Sequence, residues 1–433
     1  MTSELSTKGR ARVQRLGAAI ATSFVSKVGS VAYQIVAVPL VIASLGVGGY
    51  SKFAVVMAAF GWMGTLSVGF GPTVTEKIVS DRIHPISPEV RETFMTALAA
   101  SAALLGVVLV VTVPLLAQQD SGGSSDGSTF AIAGLASAMA ISGAVFDSAL
   151  LGFQRAHVTN LFSFVSSVLA LAATILAARL FPTVSAMVIA ALGPVVLARG
   201  MSAVALHRAE PSLFGRLRDV KLRAVPPIAR RGIVFAGIAL AAFLELQGGL
   251  LVAAAQLGST NVAEAALVLR ALPLLSSVVA MITVPLWPAV AEAVRDGDIR
   301  WVRKAWARAS ALVMIYAIAA SLIVIVAGQW ILGVWTGGRV SVSNGMLVAA
   351  GLLIVLESWA NVNVTLLIAI GRAGSAAAVL LVEAVVGVLL VGLGTSALGQ
   401  GAALVGPVIP EILICSWLLP LLVVRAIRRT STD

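Results

Sequence analysis

Apolar runs of about 21 to 30 residues, separated by short polar or Gly/Ser segments, recur along the whole chain. At about 1.5 Å rise per residue, roughly 20 such residues cross a hydrocarbon core ~30 Å thick. The pattern predicts twelve spans, near 17–43, 50–78, 93–116, 130–153, 158–178, 183–206, 230–255, 262–291, 306–327, 346–369, 374–394 and 401–424. Short motifs return at a common offset. Pro72 recurs as Pro285 and Gly193-Pro194-Val195 as Gly406-Pro407-Val408, both 213 residues on. Leu45-Gly46 recurs as Leu257-Gly258 after 212 residues, and Arg155-Ala156 as Arg372-Ala373 after 217. Twice this period nearly fills the 433 residues, which predicts two six-span halves. Six spans return the chain to its starting side, so the repeats are parallel about an axis along the membrane normal, with substrate expected in a cleft between two lobes. The expected boundaries are 1–206 for the first lobe, 207–229 for a basic linker and 230–433 for the second lobe.

Composition fixes the environment. With 59% hydrophobic and 11% charged residues, and a mean hydropathy of +1.01, the chain is expected to be an all-α integral membrane protein. A net charge of +11 would suggest nucleic acid in a soluble protein. Sorted by side, however, 24 of the 30 Lys and Arg fall in segments that are cytoplasmic if the N-terminus is inside. The charge therefore reads as positive-inside topology in a cytoplasmic (inner) membrane with both termini cytoplasmic, and no nucleic-acid partner is expected. The segment His207 to Arg231, with seven Arg and Lys, is expected to be a solvated loop. The first span is too long for a cleaved signal peptide.

Several chemistries are not expected. Cys415 is the only cysteine, and His84, His157 and His207 are scattered, so neither a disulfide nor a metal centre is anticipated. No GxxxxGK[ST] phosphate loop is present, and the external loops are short and nearly uncharged. Neither ATP-driven transport on this chain nor enzymatic work on a glycan is therefore expected, and no cofactor is implied beyond Na⁺ or H⁺ as coupling ion.

Polar groups inside the spans carry the candidate chemistry. Ser23, Lys27, Ser30 and Gln34 are spaced 4, 3 and 4, which puts them on one face of the first helix. A buried ammonium needs water or an acidic partner, so Lys27 is expected to face a wet cavity. Arg270 lies roughly 14 Å into the eighth span, too deep for an easy snorkel. Glu245, Glu357, Glu383 and Glu411, in spans 7, 10, 11 and 12, fall roughly 15 to 21 Å from a predicted boundary. Glu357, Asn361 and Thr365 share a face at i, i+4 and i+8, an oxygen set suited to Na⁺, or the acids carry a proton. Arg199 and Asp147 are assigned no role. Among the prolines inside spans, Pro72 and Pro285 are the matched hinge candidates.

The run Pro39-Leu40-Val41-Ile42-Ala43-Ser44-Leu45-Gly46, then Gly49-Tyr50 and Gly69-Phe70-Gly71-Pro72, resembles the polysaccharide transporter family. That family is of the O-antigen flippase type, within the multidrug/oligosaccharidyl-lipid/polysaccharide exporter superfamily. Gly152-Phe153-Gln154-Arg155 and Ile370-Gly371-Arg372 extend the resemblance over the whole chain. It implies a V-shaped pair of six-helix bundles that moves a polyprenyl-diphosphate-linked glycan between leaflets in surface polysaccharide biosynthesis, beside glycosyltransferases or a polysaccharide polymerase. Ser26-Lys27-Val28 is similar to the Ser-Arg-Val of lipid II flippases, whose cavity cations meet the diphosphate. Tyr33-Gln34 stands where those relatives have Arg-Asp, which argues against lipid II itself as cargo. Arg270 is similar in placement to their eighth-span cation, and Glu245 with Glu357 or Glu383 to the cation-binding acids of second lobes. Buried acids outnumber buried bases, which also suits a cation-coupled drug exporter of the multidrug and toxin extrusion type.

Overall fold

The computed structural model describes residues 2–61, 71–80, 86–118, 126–153, 155–216, 219–221, 225–295 and 297–429, with side chains before Lys27 outside the description. Every described element is helical. The order is α1 (Thr2–Gly61), α2 (Gly71–Ser80), α3 (Pro88–Gln118), α4 (Asp126–Gly152), α5 (Ala156–Leu180), α6 (Val184–Ala209), α7 (225–257), α8 (Ala263–Arg295), α9 (Ile299–Thr336), α10 (Asn344–Ala369), α11 (Ala373–Leu398) and α12 (402–429). Elements α3 to α12 coincide with predicted spans 3 to 12. Span 1 and the start of span 2 run together in α1, and α2 continues span 2. Among the described residues, nine stretches are long and apolar enough to cross a membrane, one of them covering both α11 and α12.

The repeat read from the sequence is a repeat of backbone conformation. Gly46 breaks α1 at φ 74°, ψ 175°, and its counterpart Gly258 ends α7 at φ 91°, ψ 144°. Both lie where a side chain would be strained, so glycine is what lets each half turn from its first span into its second. Arg155 opens α5 at φ −104°, ψ 34°, and Arg372 opens α11 at φ −105°, ψ 28°. Pro194 and Pro407 each sit inside the last span of their half.

The chain forms two compact units, Met1–Gly46 with Phe60–Ala236 and Val47–Ala59 with Gly237–Asp433. In the first, α2, α3, α4 and α6 close on Val74, Phe94, Val145, Ala149 and Leu206. The segment after α6 is not the solvated loop its charge suggests. Leu213 is fully buried in that same core, Phe214 packs on Phe94 with ring centroids 5.6 Å apart, and the Lys221 amide donates to Thr96 Oγ1 at 3.0 Å. Two apolar residues among the basic ones dock the segment, and the full burial of Leu213 contributes about 1.5–3 kcal/mol. The second unit centres on Val290, Val302, Leu366, Leu367, Leu419 and Val423 of α8, α9, α10 and α12.

Candidate functional site

The four mid-depth acids belong to one unit, and the fold gathers them into one electrostatic neighbourhood. Glu383 lies within range of the charges on Glu245, Glu411 and Glu357, and Glu357 within range of Glu245 and Glu411. Glu383 is 0% exposed and Glu411 1%. The stem of Glu357 is partly accessible, but its Oε1 is buried without a hydrogen-bond partner, as are Glu245 Oε1, both oxygens of Glu383 and Glu411 Oε2. Among the described residues no ion pair reaches these carboxyls. Ser276 of α8 reaches Glu357, and the Cys415 thiol reaches Glu411.

Close helix approach makes this possible. A Cβ on Gly406 of α12 would stand 2.9 Å from Gly387 O and 2.5 Å from Val391 Cγ2 of α11, and a Cβ on Gly248 of α7 would stand 2.9 Å from Val388 Cγ2. Glycine at these crossings lets α11 and α12 touch backbone to backbone and lets the α7 backbone pack on the Val388 side chain, the means by which membrane helices associate without a hydrophobic driving force between them. Two of the acids also sit in π-helical turns, Glu245 in Leu244–Gly248 and Glu411 in Glu411–Cys415. Such widened turns are rare and frequent at functional sites. Pro407 and Pro410 lie directly upstream of the second. Proline has no N–H to donate, so the helical ladder is already interrupted there. Ser416 Oγ then donates to the Glu411 carbonyl at 3.0 Å, and Trp359 Nε1 of α10 donates to Ser416 O at 3.1 Å. Asn363 Nδ2 donates to Trp359 O at 2.8 Å, so a polar chain ties α10 to the π-turn that carries Glu411.

Four negative charges cannot coexist out of water without neutralisation, because burying even one unpaired carboxylate is prohibitive. The unpartnered oxygens fit protons, each of which needs a single oxygen. Among the described residues no three His, Cys, Asp or Glu side chains are grouped so as to hold a metal ion by themselves. Asn361 is exposed rather than turned into the cluster. The buried amide of α10 is Asn363, 0% exposed and with its Oδ1 unpartnered. The shared face of 357, 361 and 365 is half-buried to exposed, with the Glu357 Oε1 itself buried.

The expected cation positions are divided between the units, Lys27 in the first and Arg270 in the second. Lys27 and Ser30 are exposed and Gln34 half-buried. Gly29, on the other side of α1 from Lys27, packs on Phe164 of α5, where a Cβ would meet the ring at 2.7 Å. Lys27 therefore faces away from α5. Arg270 is half-buried and its charge reaches the buried phenol of Tyr50. The Ser23 side chain lies outside the described residues, and so do those of Pro72 and Pro285, through which α2 and α8 run as helix.

In the first unit, Arg199 of α6 and Asp147 of α4, to which the sequence assigned no role, form an ion pair. Gly143 of α4 opens the space against which the Arg199 stem lies. Neither partner is distinctive alone. Each lies at similar depth in its own span, which is the signal that could have joined them.

No protein-family model and no curated protein matches the chain. Solved structures do. A multidrug resistance MATE family transporter of the MOP superfamily, in its inward-facing conformation, superposes with TM-score 0.74 at 14% identity over 93% of this chain and 95% of that one. A MATE transporter in complex with MaD3S gives 0.67 at 15% identity over 96% and 97%. A MOP superfamily transporter from Pyrococcus furiosus, described as having a binding pocket of reverse polarity, gives 0.63 at 13% identity over 97% and 96%. The chain thus has the two-lobed, all-helical fold of the MATE transporters, that of a multi-pass membrane protein. At these identities the likeness is one of fold.

Proposed function

We propose that this protein is a cation-coupled exporter of the cytoplasmic membrane, with both termini cytoplasmic, and that the buried carboxylate cluster of the second unit is its coupling site. The observation that carries the proposal is the gathering of Glu245, Glu357, Glu383 and Glu411, from four helices, with five buried oxygens lacking partners. Loading the cluster neutralises it and lets the helices close; releasing the ion leaves repulsion that favours a different packing. This is the differential interaction that an ion-driven conformational change requires. Protons are the favoured coupling ion, since one oxygen suffices for each.

The cargo is a polyprenyl-diphosphate-linked glycan, moved to the outer leaflet for polysaccharide biosynthesis and handed on to a polymerase or glycosyltransferase. Lys27, flanked by Ser23, Ser30 and Gln34, and Arg270 supply cations for the diphosphate; a cationic drug would be repelled from them. The resemblance of the first two spans to the O-antigen flippases supports this reading. A second reading, a cation-coupled drug exporter, is favoured by the excess of buried acids and by the multidrug MATE transporters among the structural neighbours. The Pyrococcus protein's reverse pocket polarity is an instance of this fold with other pocket chemistry. Deleting the gene separates the two. Accumulation of a glycan-loaded polyprenyl diphosphate on the inner leaflet is expected, and drug sensitivity without such accumulation contradicts the flippase reading.

A further inference from the structure

At the end of each half on the basic side of the membrane, the junction between the fourth and fifth spans meets the end of the sixth. In the first unit this contact neutralises itself: Arg155, opening α5, pairs with Glu210 at the end of α6 at 3.6 Å. In the second unit the matching arginine, Arg372, opens α11 with the same backbone angles, but the last helix offers another cation, Arg425. The two guanidiniums line a cavity of about 210 Å³ together with Ser375, Leu367, Leu422 and Ala426. Both arginines are exposed, and among the described residues neither takes part in an ion pair.

Positive-inside topology accounts for arginines on this side of the membrane, but not for two of them lining one small cavity, where an anion between them relieves their mutual repulsion. The first half shows that the architecture accepts an internal acid at this contact. The cavity's other features suit one kind of anion. Arg recognises phosphate oxygens through its planar fork of donors. Ser375 adds a hydroxyl, and α11, a helix of 26 residues, begins at Ala373 with no side chain capping its first amides, which favours negative charge. Leu367 and Leu422 belong to the apolar core and supply a greasy wall beside the polar mouth. A phosphate with a hydrocarbon neighbour is the signature of a lipid.

We propose that the cavity between the α10–α11 junction and the end of α12 binds the phosphate headgroup of an anionic membrane phospholipid. Arg372 and Arg425 clamp the phosphate, and Leu422, only partly buried beside them, receives the start of the acyl chains. The lipid replaces the acid that holds the equivalent contact in the first half, so it fastens the last span to the α10–α11 junction.

The test uses the full chain purified in detergent. Short-chain phosphatidylglycerol, short-chain phosphatidylcholine and inorganic phosphate are titrated against it, and binding is read as the saturable rise in melting temperature and by native mass spectrometry. Phosphatidylglycerol is expected to bind and phosphatidylcholine to bind weakly. Arg372→Gln with Arg425→Gln should weaken phosphatidylglycerol roughly tenfold or more. Arg155→Gln, which breaks the first-half pair, should leave it unchanged. If the double variant does not fold, Arg425→Lys keeps charge and loses the fork, and an intermediate weakening is expected. Unchanged affinity in the Gln double variant, or in Arg425→Lys where that variant is the one measured, overturns the site. Equal weakening by Arg155→Gln reduces it to general surface charge and overturns it as well. Inorganic phosphate that binds as tightly as phosphatidylglycerol overturns the assignment to lipid.

Discussion

The two halves share a frame and differ in how they pair charge. In the first unit Asp147 meets Arg199, Arg155 meets Glu210 and Arg91 meets Asp219. In the second, among the described residues, four acids have no ion-pair partner and two arginines that line one cavity take part in no ion pair. A paired charge holds structure; an unpaired one stores a demand for something from outside. In the proposed function the coupling acids all belong to the second half, while the cations for the cargo come from both.

The comparison breaks most visibly if the cations thought to face cargo prove dispensable. Lys27→Ala and Arg270→Ala are each predicted to abolish export, a loss of about 100-fold or more, with normal protein level by immunoblot; normal surface polysaccharide in both would remove them from the cargo role. Next in size is the paired half. Arg199→Leu should cost about 1–3 kcal/mol because Asp147, partly buried, is left without its partner, and Arg199→Leu with Asp147→Leu should recover most of it. Thermal unfolding in detergent reads both, and a double variant no better than the single would mean the pair matters for more than charge. Gly406→Ala should then cost about 1–3 kcal/mol through collision with α11. An unchanged melting temperature would show that the backbone approach of α11 and α12 is slacker than described. Arg155→Gln, whose pair with Glu210 is partly exposed, should cost about 0–1 kcal/mol in the same assay.

Much of this was legible in the sequence because a membrane imposes lengths and sides. Ten of the twelve helices lie where their apolar runs predicted, and the repeat motifs mark matching backbone: Gly46 with Gly258, Arg155 with Arg372. Position along each span put Glu245, Glu357, Glu383 and Glu411 at one depth. Depth says nothing of rotation, however, so Asn361 was placed beside Glu357 although Asn363 is the buried amide. The π-turns were hidden because hydropathy is blind to a widened turn, and only the proximity of Pro407 and Pro410 to Glu411 hinted at one. Leu213 and Phe214 were lost among the basic residues of the linker, where two apolar side chains in a charged segment give no periodicity to read.

In the proposed function the carboxylate cluster couples an ion gradient to transport. Proteoliposomes carrying a fluorescent polyprenyl-diphosphate glycan analogue, with a proton or Na⁺ gradient imposed, test it most directly. Wild-type protein is predicted to translocate the analogue in proportion to the proton gradient, while Glu245→Gln and Glu383→Gln bind it and lose the dependence. Gradient-driven transport that persists unchanged in both variants would contradict the account.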